Sequence, residues 1–273
     1  MLLNLHADQS VAERDDNGVA SARAGQPKLL VSVASAAEAQ IALKHGADII
    51  DCKDPAVGAL APLSLQDVTS VCRTVDNATP VAATVGVVER NLTDCLDMMQ
   101  LFAATGVDLI KIGFGLPRDA RQHRALASDI QQCGRAGMQL LQGRQLVAVV
   151  FAENLTSHAQ FAAFTLHCSE AGFHGVMIDT LGKRSGNVLS QITKSFIVQA
   201  AQEVRSHGLF FGLAGGLRLS DVPMVSALGP DVVGLRGGVC EAGDRRRSLD
   251  ATALQGVRAQ LNAAAGSAER PSI

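Results

Sequence analysis

Eight short apolar runs, most of them rich in β-branched residues, recur along the chain: KLLVSV (28–33), DIIDCK (48–53), PVAATV (80–85), DLIKIG (108–113), QLVAVVF (145–151), GVMID (175–179), LFFGLAG (209–215) and DVVGLR (231–236). Near-continuous apolar runs of this length are the pattern of parallel strands covered on both faces. Segments of helical period separate most of them. SAAEAQIALKHGA (35–47) shows the unit: Ser35 offers an N-cap, Glu38 stands at the third helical position, and Gly46 closes the helix before the next run. A second unit begins at Asn91 and ends at Gly106, and SEAGFHG and SALGPD close later helices with the same glycine.

Eight strand–helix units in one uninterrupted stretch predict a single α/β domain, a (β/α)8 TIM barrel over 27–262. A doubly wound open sheet is the alternative, but no GxGxxG opens the first unit. The ends, 1–26 and 263–273, are polar, rich in small residues and without period, which predicts a flexible extension and a flexible tail.

Alternation along a strand places Asp51 and Lys53 on one face and Cys52 on the other. If Cys52 faces the helices, Asp51 and Lys53 face the barrel axis at its C-terminal mouth, where barrel enzymes carry their chemistry. A salt bridge at an exposed strand end is the plainer alternative. Lys111 in the fourth run, Asp179 closing the sixth with Lys183 following in DTLGK, and Arg236 closing the eighth all fall at the same end. These are even-numbered strands, and a barrel interior is layered from alternate strands, so Lys53, Lys111 and Asp179 are expected to converge.

Buried lysines are costly unless paired. Clustered in a partly dry pocket, they lower one another's pKa, and a neutral amine is then available to form an imine with a carbonyl while carboxylates move protons. The expected catalytic set is Lys53, Asp51, Lys111, Asp179 and Lys183. LAGGLR (213–218) and LRGGVC (235–240) place glycine pairs after the seventh and eighth strands, where many barrels hold phosphate on backbone N–H groups. Gly215, Gly216, Arg236, Gly237 and Gly238 are the expected phosphate ligands, with Arg218 a further candidate. DRRR (244–247) reads as a solvated helix start, and Glu153 as either a mouth residue or a helix cap. His45, His174 and His207 precede strands, at the end of the barrel associated with stability.

Composition narrows the classes. The 273 residues are 47% hydrophobic and 18% charged with a formal net charge of -2, so no basic field draws nucleic acid or acidic lipid. Trp and Tyr are absent, which leaves little for base stacking. The six cysteines form no CxxC or Cys/His pattern and read as buried thiols of a reducing cytoplasm. No metal spacing is legible, an imine mechanism needs no cofactor, and no run approaches the ~18 apolar residues of a membrane span. The implied partner is a small phosphorylated substrate; the oligomeric state stays open, a homo-oligomer included.

DIIDCKDPAVGAL, VAATVG, DLIKIG, MIDTLGK, GLAGGL and VGLRGGVC, in this order, closely resemble the (5-formylfuran-3-yl)methyl phosphate synthases of methanofuran biosynthesis. The resemblance implies a barrel enzyme that joins two molecules of glyceraldehyde 3-phosphate, with loss of one phosphate and two waters. It implies Lys53 as the imine-forming lysine with Asp51 beside it, Lys111 and Lys183 as further active-site lysines, and Asp179 as an active-site acid. Two positions depart from the family pattern: Val87-Val88, where many archaeal relatives carry an acid, and Ala61, where glycine is usual. The rival readings are a class I sugar-phosphate aldolase that stops at the linear adduct and a phosphosugar-binding barrel without chemistry.

Overall fold

All eight runs form strands: β1 (Lys28–Val33), β2 (Ile49–Cys52), β3 (Val81–Val87), β4 (Leu109–Phe114), β5 (Gln145–Phe151), β6 (Gly175–Asp179), β7 (Phe210–Leu213) and β8 (Val232–Leu235). They pair in parallel in sequence order and close, β8 against β1, into a barrel. The computed structural model describes residues 26–88, 91–117, 120–182 and 186–268. Helices α1 (Ala36–Lys44), α2 (Leu65–Val75), α3 (Leu92–Ala103), α4 (Ala120–Leu140), α5 (His158–Glu170), α6 (Val188–Gln191), α7 (Lys194–Ser206), α8 (Val222–Ala227) and α9 (Ala251–Ala268) lie between and after the strands. The architecture is the (β/α)8 barrel that the spacing predicts. The tail expected from Ala263 is in part helix, because α9 continues through its alanine-rich sequence to Ala268.

Helix starts follow the caps in the sequence. Ser35 accepts from the Glu38 N–H, Ser64 from Asp67, Asn91 from Thr93 and Asp94, and Ser157 from Gln160. Gly46 and Gly106, at φ +82 and +98, turn the chain out of α1 and α3 toward the next strand. Glu38 reaches back to the Ala34 N–H at 2.7 Å, one residue before the cap.

A four-fold device closes the bottom of the barrel. The residue before each even strand, Asp48, Asp108, His174 or Asp231, donates its N–H to the carbonyl of an odd-strand residue. Its side chain accepts that same residue's N–H: Leu29 to Asp48 at 2.7 Å, Val81 to Asp108 at 2.9 Å, Leu146 to His174 Nδ1 at 3.2 Å and Phe211 to Asp231 at 2.7 Å. The repeating Gly-x-Asp/His of the sequence is thus a register lock that recurs every two strands. His174 carries it as a stability residue, as its place before a strand predicts.

Two apolar layers result. Outward residues such as Val31, Ile50, Ala83, Ile110 and Ile178 pack under the helices, and Leu30, Ile49, Ala82, Leu109, Val147, Met177, Phe210 and Val232 fill the barrel. Inward glycines make room for large neighbours: a Cβ on Gly175 would stand 2.4 Å from the Phe210 ring and one on Gly212 2.4 Å from Met177 Cγ. Leu60, from the β2–α2 loop, is fully buried in the same inner cluster at φ +57 and lies over Gly113. Val87, Val88 and Ala61, the positions expected to depart from the family pattern, are all buried.

Candidate active site

The inward parity that buries Leu30, Ile49 and Leu109 in the barrel puts Ser32, Asp51 and Lys111 one step nearer the mouth. Ser32 is paired in register with Asp51, and its hydroxyl donates to Asp51 Oδ2 at 2.9 Å. Lys111 Nζ lies 2.6 Å from Asp51 Oδ1, and both side chains are almost wholly buried, at 3% and 0% exposure. Each charge offsets the desolvation of the other, the condition under which buried ions are tolerated. Burial pushes the Lys111 ammonium below the usual lysine range; Asp51 opposes this, and the charge of Lys53 adds to it.

Lys53 follows the last residue of β2. Its N–H donates to the Val33 carbonyl at 3.2 Å, which keeps the backbone extended and the side chain inward. Its Nζ lies 3.6 Å from Asp179 Oδ2 and 4.0 Å from Asp51 Oδ2, with 12% of the side chain exposed at the mouth. Asp179, closing β6, accepts the Thr180 N–H at 2.7 Å on its other oxygen. Two ammonium groups and two carboxylates thus interleave across β2, β4 and β6, with Lys111 beneath and Lys53 partly exposed at the mouth. Cys52 points to the helix layer, and burial, reinforced by Asp51, holds its thiol well above the usual range. That makes it a packing residue and no nucleophile.

Lys183 lies outside the described residues. The chain leading to it is held by Glu153, whose carboxylate accepts the Leu181 N–H at 3.0 Å and the Gly182 N–H at 3.4 Å. Glu153 therefore braces the loop after β6. It caps nothing in its own short turn.

The loop after β8 packs against the loop after β7 at Gly238. A Cβ on Gly238 would stand 2.3 Å from the Leu217 carbonyl oxygen, and one on Gly215, at φ +110, 2.7 Å from Thr180 Cγ2. Gly216, at φ +65, abuts the Asn187 backbone. Gly237 is less confined, its nearest neighbour lying at 3.5 Å. Outside the helices and strands, the N–H groups of Gly215, Gly216, Gly237 and Gly238 donate to no backbone carbonyl among the described residues.

Arg236 departs from its expected role. It is buried, and each of its five guanidinium N–H groups has an acceptor in the protein. Nε donates to the Arg245 carbonyl at 2.9 Å, Nη1 to the Ser32 carbonyl at 3.1 Å and to Glu38, and Nη2 to Glu38 Oε1 and the Arg247 carbonyl, both at 3.1 Å. Arg236 is a bracket that ties β8 to β1, α1 and the following loop, and no N–H is left for an anion. Arg218 is exposed, with its backbone N–H held by Asp221. Sequence reasoning missed Ser32, whose signal was a lone polar residue at an inward position of an apolar strand. It also missed Thr84, whose hydroxyl holds the β2–α2 loop through the Ala61 carbonyl at 3.1 Å. Among the described residues no group of three or more His, Cys, Asp or Glu side chains could hold a metal, and no helix is long and apolar enough to cross a membrane.

Residues 29–258 match the family model described as 4-HFC-P synthase. The chain belongs to the 4-HFC-P synthase family. Relatives agree with the family. The (5-formylfuran-3-yl)methyl phosphate synthase of Methanopyrus kandleri is 34% identical over 81% of this chain and 93% of its own. That of Methanosarcina mazei is 29% identical over 86% of this chain and 100% of its own. A Methylorubrum extorquens protein that carries the same name provisionally is 37% identical over 88% and 96%. Among solved structures, the 3-hexulose-6-phosphate synthase of Salmonella typhimurium superposes with a TM-score of 0.59 at 17% identity, over 87% of this chain and 99% of its own. That likeness concerns the barrel alone. For a member of the 4-HFC-P synthase family, the mouth of the barrel with its paired lysines and aspartates is the candidate active site.

Proposed function

We propose that the protein condenses two molecules of glyceraldehyde 3-phosphate, through an imine on Lys53, into (5-formylfuran-3-yl)methyl phosphate for a methanofuran-type one-carbon carrier. The observation that carries this reading is the placing of Lys53 Nζ, open at the mouth, between Asp179 at 3.6 Å and Asp51 at 4.0 Å, with Lys111 buried behind Asp51. The family membership and the names of the relatives support the same product.

One triose phosphate is isomerised to the ketone, whose carbonyl carbon bonds to Lys53 Nζ as water leaves. Asp179, the carboxylate nearest that nitrogen, exchanges protons with the carbinolamine. The imine acts as an electron sink, so the adjacent carbon loses a proton and attacks the aldehyde carbon of the second triose. Lys111, buried 2.6 Å from Asp51, is placed to exchange a proton beneath the substrate. Cyclisation, eliminations and hydrolysis from Lys53 complete the turnover. The sum is two triose phosphates giving one furan phosphate, one inorganic phosphate and two waters, with no external oxidant or reductant. The family motif adds Lys183 as a further cation, and the N–H groups of Gly215, Gly216, Gly237 and Gly238 receive phosphate.

The test is borohydride reduction of the protein with glyceraldehyde 3-phosphate, read by peptide mass spectrometry beside furan absorbance in the ultraviolet. A triose adduct on Lys53, with adduct and furan both lost in Lys53→Ala, is the expected result. An adduct with a linear sugar phosphate and no furan would make the protein a simpler aldolase. No adduct from a folded protein that still binds the triose phosphate would leave a binding barrel and overturn the imine.

A further inference from the structure

Arg236, which is buried, and Arg205 and Arg258, which are half-buried, face carboxylates: Glu38, Asp231 and Asp48. Arg245 does not. Its Nη2 donates only to the Gly58 carbonyl at 3.2 Å, and its Nε is buried without a partner. No carboxylate lies within ion-pair distance of it among the described residues. A buried guanidinium donor left unmet calls for an explanation.

Its position supplies one. Arg245 Cβ lies 3.8 Å from where a Cβ on Gly237 would stand, so the side chain starts beside the glycine loop after β8. The backbone is fixed there, because Arg236 Nε holds the Arg245 carbonyl at 2.9 Å. From that anchor the side chain reaches Gly58, on the loop that begins at Lys53. An arginine without a carboxylate partner, rooted beside the glycine loop after β8 and reaching across to Gly58, suits a phosphate dianion held between the two loops.

We propose that Arg245 is the cationic ligand of the substrate phosphate at the glycine loop after β8, and that it sets the preference for a phosphorylated triose. The proposal rests on the triose-phosphate reading above. It divides labour between neighbours: Arg236 shapes the loop from within, and Arg245 binds from its surface. Because Arg245 also touches Gly58, the bound phosphate is tied to the loop of the imine lysine.

The experiment is calorimetric titration with inorganic phosphate, together with borohydride trapping of glyceraldehyde 3-phosphate against unphosphorylated glyceraldehyde. Wild type is compared with Arg245→Gln, Arg245→Lys and Arg246→Gln, the last being an exposed arginine paired with Asp244. Arg245→Gln is expected to weaken phosphate binding about ten- to hundredfold and to lose the preference for the phosphorylated triose by a similar factor. Arg245→Lys restores part of both, and Arg246→Gln changes neither. If Arg245→Gln does not fold, Arg245→Met, which keeps the aliphatic stem, takes its place. Wild-type phosphate affinity in a folded Arg245 variant would overturn the proposal. If no protein forms an adduct while phosphate affinity still depends on Arg245, the imine reading fails and the assignment of Arg245 stands.

Discussion

Asp51 and Lys111 share a buried ion pair, and its energetics give the site a pH signature. Burial holds Lys111 below the ordinary lysine value of 10.5, so between its native value and 10.5 the unfolded chain binds more protons at this position than the native one. Stability from this group therefore rises with pH through that window, and below it the full desolvation burden is present. Asp51→Asn removes the neighbour that raises the Lys111 pKa, so the amine gives up its proton at still lower pH. The expected loss is about 3–5 kcal/mol where Lys111 stays charged, shrinking as the pH rises and the amine becomes neutral. Urea unfolding across a pH series reads this directly, with Lys111→Met as the variant in which the slope disappears. A deficit that widened with pH would contradict the pairing.

The elements owe their register to local chemistry at the bottom of the barrel. Asp108 donates to and accepts from Val81, so Asp108→Ala would strand the Val81 N–H at the start of β3. The expected cost is about 1–3 kcal/mol in chemical denaturation with kcat unchanged, because the lock and the ionic cluster sit at opposite ends of the strands. A fall in kcat without loss of stability would refute this assignment. The same geometry explains what was legible in the sequence. β-branched runs and closing glycines give all eight strands, and period-two alternation carries Asp51, Lys111 and Asp179 to one interior. Alternation says nothing of partners distant in the chain. Arg236 finds Glu38 at a separation of 198 residues and Arg245 finds Gly58 at 187, and neither pairing has a local signal. For that reason Arg236 read as a phosphate ligand and DRRR as a solvated helix start. The helical continuation of α9 past Ala263 was hidden by composition, since small residues without period serve both a tail and an alanine-rich helix.

For the molecule as a whole, the strands carry two separable investments: register and packing below, uncompensated or partly compensated charge at the mouth. Buried ion pairs are often no better for stability than apolar residues of similar volume, so the Ser32–Asp51–Lys111 network reads as a functional burden on the core. Its replacement as a unit separates the two investments. In Ser32→Ala/Asp51→Val/Lys111→Met every buried polar group of the network is removed together, and none is left unpaired by the change. The triple variant is expected to be as stable as the wild type or about 1–4 kcal/mol more so, with furan formation abolished. Asp108→Ala is its mirror, less stable and fully active. Denaturation midpoints and product absorbance measured on both proteins decide the point. If the triple variant were several kcal/mol less stable than the wild type, the network would be part of what holds the barrel closed. If it still made the furan, Asp51 and Lys111 would have no part in the chemistry, and the proton transfers would have to pass through Asp179 and the groups around Lys53 alone.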